Sequence, residues 1–283
     1  MGSKMNYTPQ IINYLGSREG INELYMVPGA FIMEKRVNKL VKVSNAVLTQ
    51  EDIRDTLVAL RSYASPAFGP LGREGMFSFG VKGIGRFRVK YATQRGSYMV
   101  HIVRTPYQIP FLERLCQDRS LISKLEEIVR LQNSGLIVFY GRRQIVVSTF
   151  IYSLLQDVSQ KYSKVIFILE SPLNFLLKHS RSLVIQREVG VDTETFEEAL
   201  RDALHMNPDI LYMGQRDAIP AKEQEQILNL VDSNTLVFLS MPHKHLTEDF
   251  REYLRAWVEV DITEEGIIHS TIKHTEPQAE GSR

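Results

Sequence analysis

The stretch Gly135-Leu136-Ile137-Val138-Phe139-Tyr140-Gly141-Arg142-Arg143-Gln144-Ile145-Val146-Val147-Ser148-Thr149 has the spacing in this chain that most directly suggests chemistry. An apolar run ends in a glycine, and a Ser-Thr pair follows at the distance found in a phosphate-binding loop, G-x-x-x-x-G-K-[ST]. Such a loop surrounds an anion with backbone N–H groups at a helix N-terminus, neutralises the outer phosphates with its lysine, and holds magnesium with its hydroxyl. Gly141 and Ser148 stand at the two ends of the frame, but Val146 holds the second glycine position and Val147 the lysine position. Valine resists positive φ, so the nest of N–H groups should not form in the usual way. Without the lysine, no cation pairs with the β- and γ-phosphates. Arg142 and Arg143 leave two readings open. Their guanidinium groups either reach a phosphate by another route or are solvated, or paired with an acid of a neighbouring subunit.

The elements that must position this turn follow from periodicity. Leu121, Ile122, Leu125, Ile128 and Val129 form a helical stripe ahead of it, and a helix running to about Gln160 follows. Then come the run Val165 to Leu169, a helix carrying Phe196, Leu200, Ala203 and Leu204, the strand Asp209 to Met213, a helix around Ile227 to Val231, and the strand Leu236 to Met241. Strands that are apolar throughout, alternating with helices, predict a parallel sheet covered on both faces. The first third reads differently. Thr49-Gln50-Glu51-Asp52 is a capping box opening a helix with Ile53, Leu57 and Leu60 on one face. Met76–Val81, Gly85–Tyr91 and Tyr98–Arg104 alternate at period two between glycine-containing turns, which predicts an antiparallel sheet. Ser65-Pro66-Ala67-Phe68-Gly69-Pro70-Leu71-Gly72 reads as a loop, and Thr105 to Pro110, with two prolines, as an extended linker. The expected domains are 5–110 and 111–272, followed by a polar tail from 273 to 283. Trp257 is expected to be the hydrophobic cover of a final strand or helix.

Composition narrows the function classes. The chain has 283 residues, 43% apolar and 24% charged, enough for a sizeable core. Its 34 basic residues against 33 acidic ones argue against a dominant nucleic-acid or membrane-surface field. The single cysteine, Cys116, excludes an intramolecular disulfide and reads as a small buried hydrophobe. No apolar run is long enough to span a bilayer. The start Met1-Gly2-Ser3-Lys4 lacks an apolar signal region and looks like a cloning scar before a native Met5, and Asn6 fails the myristoylation pattern. Three weaker motifs carry no function: Gly83-Ile84-Gly85 lacks a third glycine, His243-Lys244-His245 lacks matching metal ligands, and Asn6-Tyr7-Thr8 is a sequon without a secretory context. Glu126-Glu127 and Glu197-Glu198 are expected to be solvated helix faces.

Four further segments carry a family resemblance. Ile168-Leu169-Glu170-Ser171-Pro172-Leu173-Asn174-Phe175 is followed by Leu183-Val184-Ile185-Gln186-Arg187-Glu188-Val189, and then by Phe196 to Asp209 with Glu198-Ala199-Leu200-Arg201 and Asn207-Pro208-Asp209-Ile210. With Gly85-Arg86-Phe87-Arg88-Val89 upstream, they resemble the secretion-ATPase superfamily, and within it the PilT-like type IV pilus retraction ATPases, over about residues 20 to 245. The resemblance implies a PAS-like α+β domain followed by a RecA-like P-loop NTPase-type parallel-sheet domain, truncated at its C-terminus.

That family's motor consists of a Walker A loop, an acidic Asp box, a Walker B segment and a His box, and each is altered here. Glu170 persists in the Asp box, but Ser171 and Asn174 replace its other acids. Ile210-Leu211-Tyr212-Met213-Gly214 matches Walker B, yet Gln215 stands where the glutamate belongs, and a carboxamide cannot act as a base. Thr235 and Pro242 replace the histidines of the His box, with His243 offset by one. Arg86, Arg88, Arg187 and Arg201 match family arginines, some of which contact nucleotide or a neighbouring subunit; structural ion pairs are an equal reading. The resemblance therefore implies a pseudo-ATPase with no cofactor. ATP and magnesium enter only under the alternative, a divergent motor that uses Arg142 or Arg143 in place of lysine and Glu170 as base. Implied partners are proteins: other copies of the chain, an active PilT-like or PilB-like ATPase, or an inner-membrane pilus platform protein. The implied location is cytoplasmic, reaching the inner membrane only through partners.

Overall fold

The computed structural model describes residues 5–36, 39–64, 70–214, 216–262 and 268–274. The expectations for Met1 to Lys4, Ser65 to Gly69, Gln215 and the tail from Thr275 lie outside these residues. The chain divides into two compact units, Met1–Gln108 and Ile109–Arg283.

The first unit is an antiparallel sheet carrying two helices. Its elements are α1 (Thr8–Gly16), β1 (Asn22–Met26), β2 (Met33–Arg36), β3 (Lys39–Lys42), α2 (Gln50–Ser62), β4 (Glu74–Val81), β5 (Gly85–Gln94) and β6 (Ser97–Pro106). The strand order is β3-β2-β1-β6-β5-β4. The capping box forms: the Thr49 N–H donates to Asp52 Oδ2 at 2.9 Å and the Asp52 N–H donates to Thr49 Oγ1 at 3.1 Å. Ile11 and Leu15 of α1, with Ile53, Leu57 and Leu60 of α2, pack on Leu24, Phe77, Phe87, Val89 and Ile102 of the sheet. The expected linker begins too early, because Thr105 and Pro106 are still paired with β5. Proline is tolerated there because it is the last residue of its strand. Opposite it, Gly85 has φ 143°, and a Cβ there would collide with the Thr105 carbonyl oxygen.

The second unit contains α3 (Leu112–Leu115), α4 (Arg119–Leu131), β7 (Gly135–Tyr140), α5 (Gln144–Lys161), β8 (Val165–Glu170), β9 (Leu183–Glu188), α6 (Phe196–Met206) and β10 (Ile210–Met213). It continues with α7 (Ala221–Asp232), β11 (Leu236–Met241), α8 (Glu248–Arg251), β12 (Leu254–Ile262) and β13 (Ile268–His274). The sheet order is β13-β12-β7-β11-β10-β8-β9, parallel except for β13. Central strands β7, β10 and β11 are buried almost end to end, as expected of a sheet covered on both faces. Helix α5 buries thirteen of its residues, which explains its weak amphipathic pattern. Trp257 lies in β12, packed edge-on to Tyr140. Cys116 is buried. The glutamates expected to be solvated are partly engaged: Glu126 pairs with Lys161 at 2.6 Å, and Glu197 pairs with Lys222 at 2.6 Å and Arg201 at 3.1 Å.

At the free edge of this sheet, two N–H groups of β9 are taken by side chains. Val184 donates to His179 Nδ1 at 3.0 Å and Glu188 donates to Asp192 Oδ2 at 2.8 Å.

Candidate functional site at the β7–α5 turn

The carboxyl ends of β7, β8, β10 and β11 bring Gly141, Glu170, Gly214 and Ser240 to one end of the sheet, where open α/β folds bind ligands. The turn itself is short. Only Gly141, Arg142 and Arg143 separate β7 from α5, so Gln144 to Thr149 are helical. The Arg143 carbonyl accepts the Val146 N–H at 2.9 Å and the Val147 N–H at 3.2 Å. None of residues 141–149 has a positive φ. The Val146 and Val147 N–H groups, which a phosphate loop would aim at its anion, are therefore spent on the first turn of a helix.

Gly141 persists for a packing reason. A Cβ there would collide with the Val260 carbonyl oxygen of β12 and lie 3.0 Å from Val147 Cγ2. Gln144 latches the turn onto β11. Its Nε2 donates to the carbonyls of Gly141 at 2.9 Å and Met241 at 2.8 Å, and its Oε1 accepts from Ser240 Oγ at 2.9 Å. Arg142 is exposed and Arg143 half-buried; Val146 and Val147 are buried.

The hydroxyls of the frame are also committed. Thr149 Oγ1 donates back to the Ile145 carbonyl at 2.7 Å. Ser148 is fully buried and donates to Glu170 Oε1 at 2.9 Å. Glu170, likewise fully buried, is the centre of a cage. Its Oε1 also accepts from Tyr212 Oη at 2.8 Å and Asn174 Nδ2 at 3.1 Å. Its Oε2 accepts from Tyr152 Oη at 2.8 Å and the Asn174 N–H at 3.1 Å. Five donors surround one carboxylate, and all of them are neutral. That is how a buried carboxylate persists without a cationic partner. Burial, and then the charge of Glu170, push the Tyr212 phenol well above its ordinary range.

Asn174, which the sequence reading treats as a lost acid, is a donor that this arrangement requires. Its Nδ2 also donates to Ser148 Oγ at 3.0 Å, whereas an aspartate would set a second carboxylate beside the first. Gly214 permits the closure, since a Cβ there would lie 2.5 Å from Glu170 Oε1. Gln144 belongs to the loop frame read from sequence, whereas Tyr152 and Tyr212 belong to the site but were not singled out there for a role in it. The available signals were a tyrosine one helical turn after Ser148 and a tyrosine inside an otherwise apolar strand.

The remaining candidates are held elsewhere. Arg187 pairs with Asp202 and donates to the Asp192 carbonyl at 2.8 Å; Arg201 pairs with Glu197. Arg86 donates to Ser78 Oγ at 3.0 Å across the β4–β5 pair, and Arg88 is the β5 residue in register with Ser78. Thr235 donates to the Pro208 carbonyl at 2.8 Å, while His243 and His245 are exposed. Among the described residues no group of His, Cys, Asp and Glu is arranged to hold a metal ion. At the turn, Val147 stands at the lysine position of the frame, residues 144–149 are helical, and the Ser148 hydroxyl donates to the Glu170 carboxylate.

No family model matches the chain. It is 28% identical over 200 residues to the type IV pilus ATPase PilU of Pseudomonas aeruginosa, covering 70% of this chain and 50% of that protein. It is 31% identical over 139 residues to PilT of the same organism, a type IV pilus retraction ATPase, covering 49% of this chain and 39% of PilT. The matches thus span half or less of these relatives. In fold, the chain is similar to the crystal structure of the pilus retraction motor PilT with bound ADP, at TM-score 0.72 and 22% identity, covering 99% of this chain and 84% of that one. It is also similar to the ATPase DotB of Legionella pneumophila, at TM-score 0.66 and 17% identity, covering 94% and 78%.

Proposed function

We propose that this chain is a catalytically inactive PilT-like subunit, a pseudo-ATPase that serves a type IV pilus or secretion-type machine as a structural or regulatory component. One observation carries the reading: the five donors on Glu170 include the Ser148 hydroxyl, so the two groups best placed to serve magnesium and water are closed on each other. The similarity to PilU and PilT supports the machine. On this reading its partners are further copies of itself, an active PilT-like or PilB-like ATPase, or a platform protein of the inner membrane. Its place is the cytoplasm, with membrane contact made through those partners. Among the described residues no helix is long and apolar enough to cross a membrane.

Calorimetric titration of the purified chain with ATP and magnesium, beside a phosphate-release assay, tests the proposal. The expected result is neither binding at millimolar nucleotide nor turnover. Magnesium-dependent hydrolysis that Glu170→Ala abolishes would overturn it and support the divergent motor using Arg142 or Arg143.

A further inference from the structure

Away from the β7–α5 turn, an open groove of about 350 Å³ runs between α7 and the segment from α8 into β12. Leu228 and the ring of Tyr253, both half-buried, supply apolar surface, and Glu225, Asp232 and Asp249 stand exposed around them. Among the described residues no cation lines the groove. The nearest ones in sequence are engaged, Lys222 with Glu197 at 2.6 Å and Arg251 with Glu248 at 3.0 Å. The field of Asp232, with a smaller contribution from burial, pushes the Tyr253 phenol above its ordinary range. A metal ion is not the occupant this geometry suits, since the carboxylates form no metal-holding group.

We propose that this groove docks a basic amphipathic segment of a partner protein, whose lysines or arginines meet Asp232, Asp249 and Glu225 while an apolar residue between them covers Leu228 and Tyr253. The argument is charge complementarity: three exposed carboxylates without cations favour a cationic ligand and repel an acidic one. The apolar surface between them gives affinity that a bare cation cannot use. The volume matches a few side chains rather than a whole domain. This inference is independent of whether the chain hydrolyses ATP.

The test uses the full chain and a fluorescein-labelled helix-forming peptide of about fourteen residues built from leucine and lysine, with a leucine and glutamate counterpart, read by fluorescence anisotropy. The cationic peptide should bind saturably and about tenfold or more tighter than the acidic one, and Asp232→Lys/Asp249→Lys should weaken it about tenfold or more. Glu127→Lys/Glu194→Lys makes the same change in net charge at exposed positions elsewhere and should change binding less than about threefold. Leu228→Ser should weaken binding severalfold at both low and high salt. All these positions are exposed or half-buried, and circular dichroism confirms that each variant is folded. Equal weakening by the control pair, equal binding of the acidic peptide, full competition by spermidine at matched charge, or no effect of Leu228→Ser would overturn the proposal.

Discussion

Replacing Glu170 by glutamine separates a structural carboxylate from a catalytic one. The substitution keeps the shape but turns one acceptor oxygen into an NH2 group. Hydroxyls of Ser148, Tyr152 and Tyr212 can rotate to accommodate it, and the Asn174 side-chain amide can turn over to offer Oδ1; the Asn174 backbone N–H cannot. The Asn174 N–H points at Oε2 and so fixes the amide oxygen there, leaving the new nitrogen at the Oε1 position, where the Ser148 and Tyr212 hydroxyls and the Asn174 amide must all reorient. Hydrogen bonds to a charged group contribute about 1.5–3 kcal/mol each and neutral ones about 1 kcal/mol, so turning the bonds of the cage from charged to neutral should cost about 2–4 kcal/mol. For a domain of this size that lowers Tm by about 5–15 °C. Tyr212→Phe removes one donor and should cost about 1–2 kcal/mol, and less in the Glu170→Gln background, because the hydroxyl no longer meets a full charge. Urea denaturation of the four proteins of this cycle measures both quantities. Catalytic carboxylates are commonly held at a cost to stability, and their neutral replacements are neutral or stabilising. A Glu170→Gln protein as stable as the parent, or more so, would refute the structural cage.

Restoring the motif should not restore chemistry. Val146→Gly/Val147→Lys is expected to bind no ATP at millimolar concentration by calorimetry and to lose about 3 kcal/mol or more in urea titration, because Val147 is fully buried within α5. Gly141→Ala should lower stability by about 1–3 kcal/mol in the same assay, through collision with the Val260 carbonyl. At Asp52, burial raises the carboxyl pKa, but hydrogen bonds from Thr49 and Met5 outweigh it and leave the group below its ordinary value. Its contribution is therefore present above the unfolded value of about 3.9 and is lost as pH falls through the folded one. The stability gap between the parent and Asp52→Asn, followed by denaturant titration from pH 7 to pH 3, should be widest at neutral pH and narrow below about pH 4.

Long periodic segments were legible from sequence because burial enforces their pattern: α2, α4, the strands β4 to β6, and the apolar strands β7, β8, β10 and β11 all follow from it. α1, β1, β2 and β3 were not, since the strands are only four or five residues long and their pattern resolves only once β6 pairs with β1. The hairpin of β12 and β13 was missed because charged residues interrupt its apolar positions. At the site, the frame from Gly141 to Thr149 was visible in the spacing of its glycine and its Ser-Thr pair. Motif spacing could not reveal that Gln144 starts the helix early, or that Asn174 is a donor. Both facts depend on contacts between residues far apart in sequence, Gln144 with Met241 and Asn174 with Ser148.

The side-chain caps on β9 bear on how copies of this chain can meet. A sheet edge with open N–H groups is a template on which another strand can polymerise. His179 Nδ1 fills one such position by accepting the Val184 N–H, and Asp192 Oδ2 fills another by accepting the Glu188 N–H. Strand-by-strand growth from this edge therefore has to displace two side-chain caps before a neighbouring strand can add.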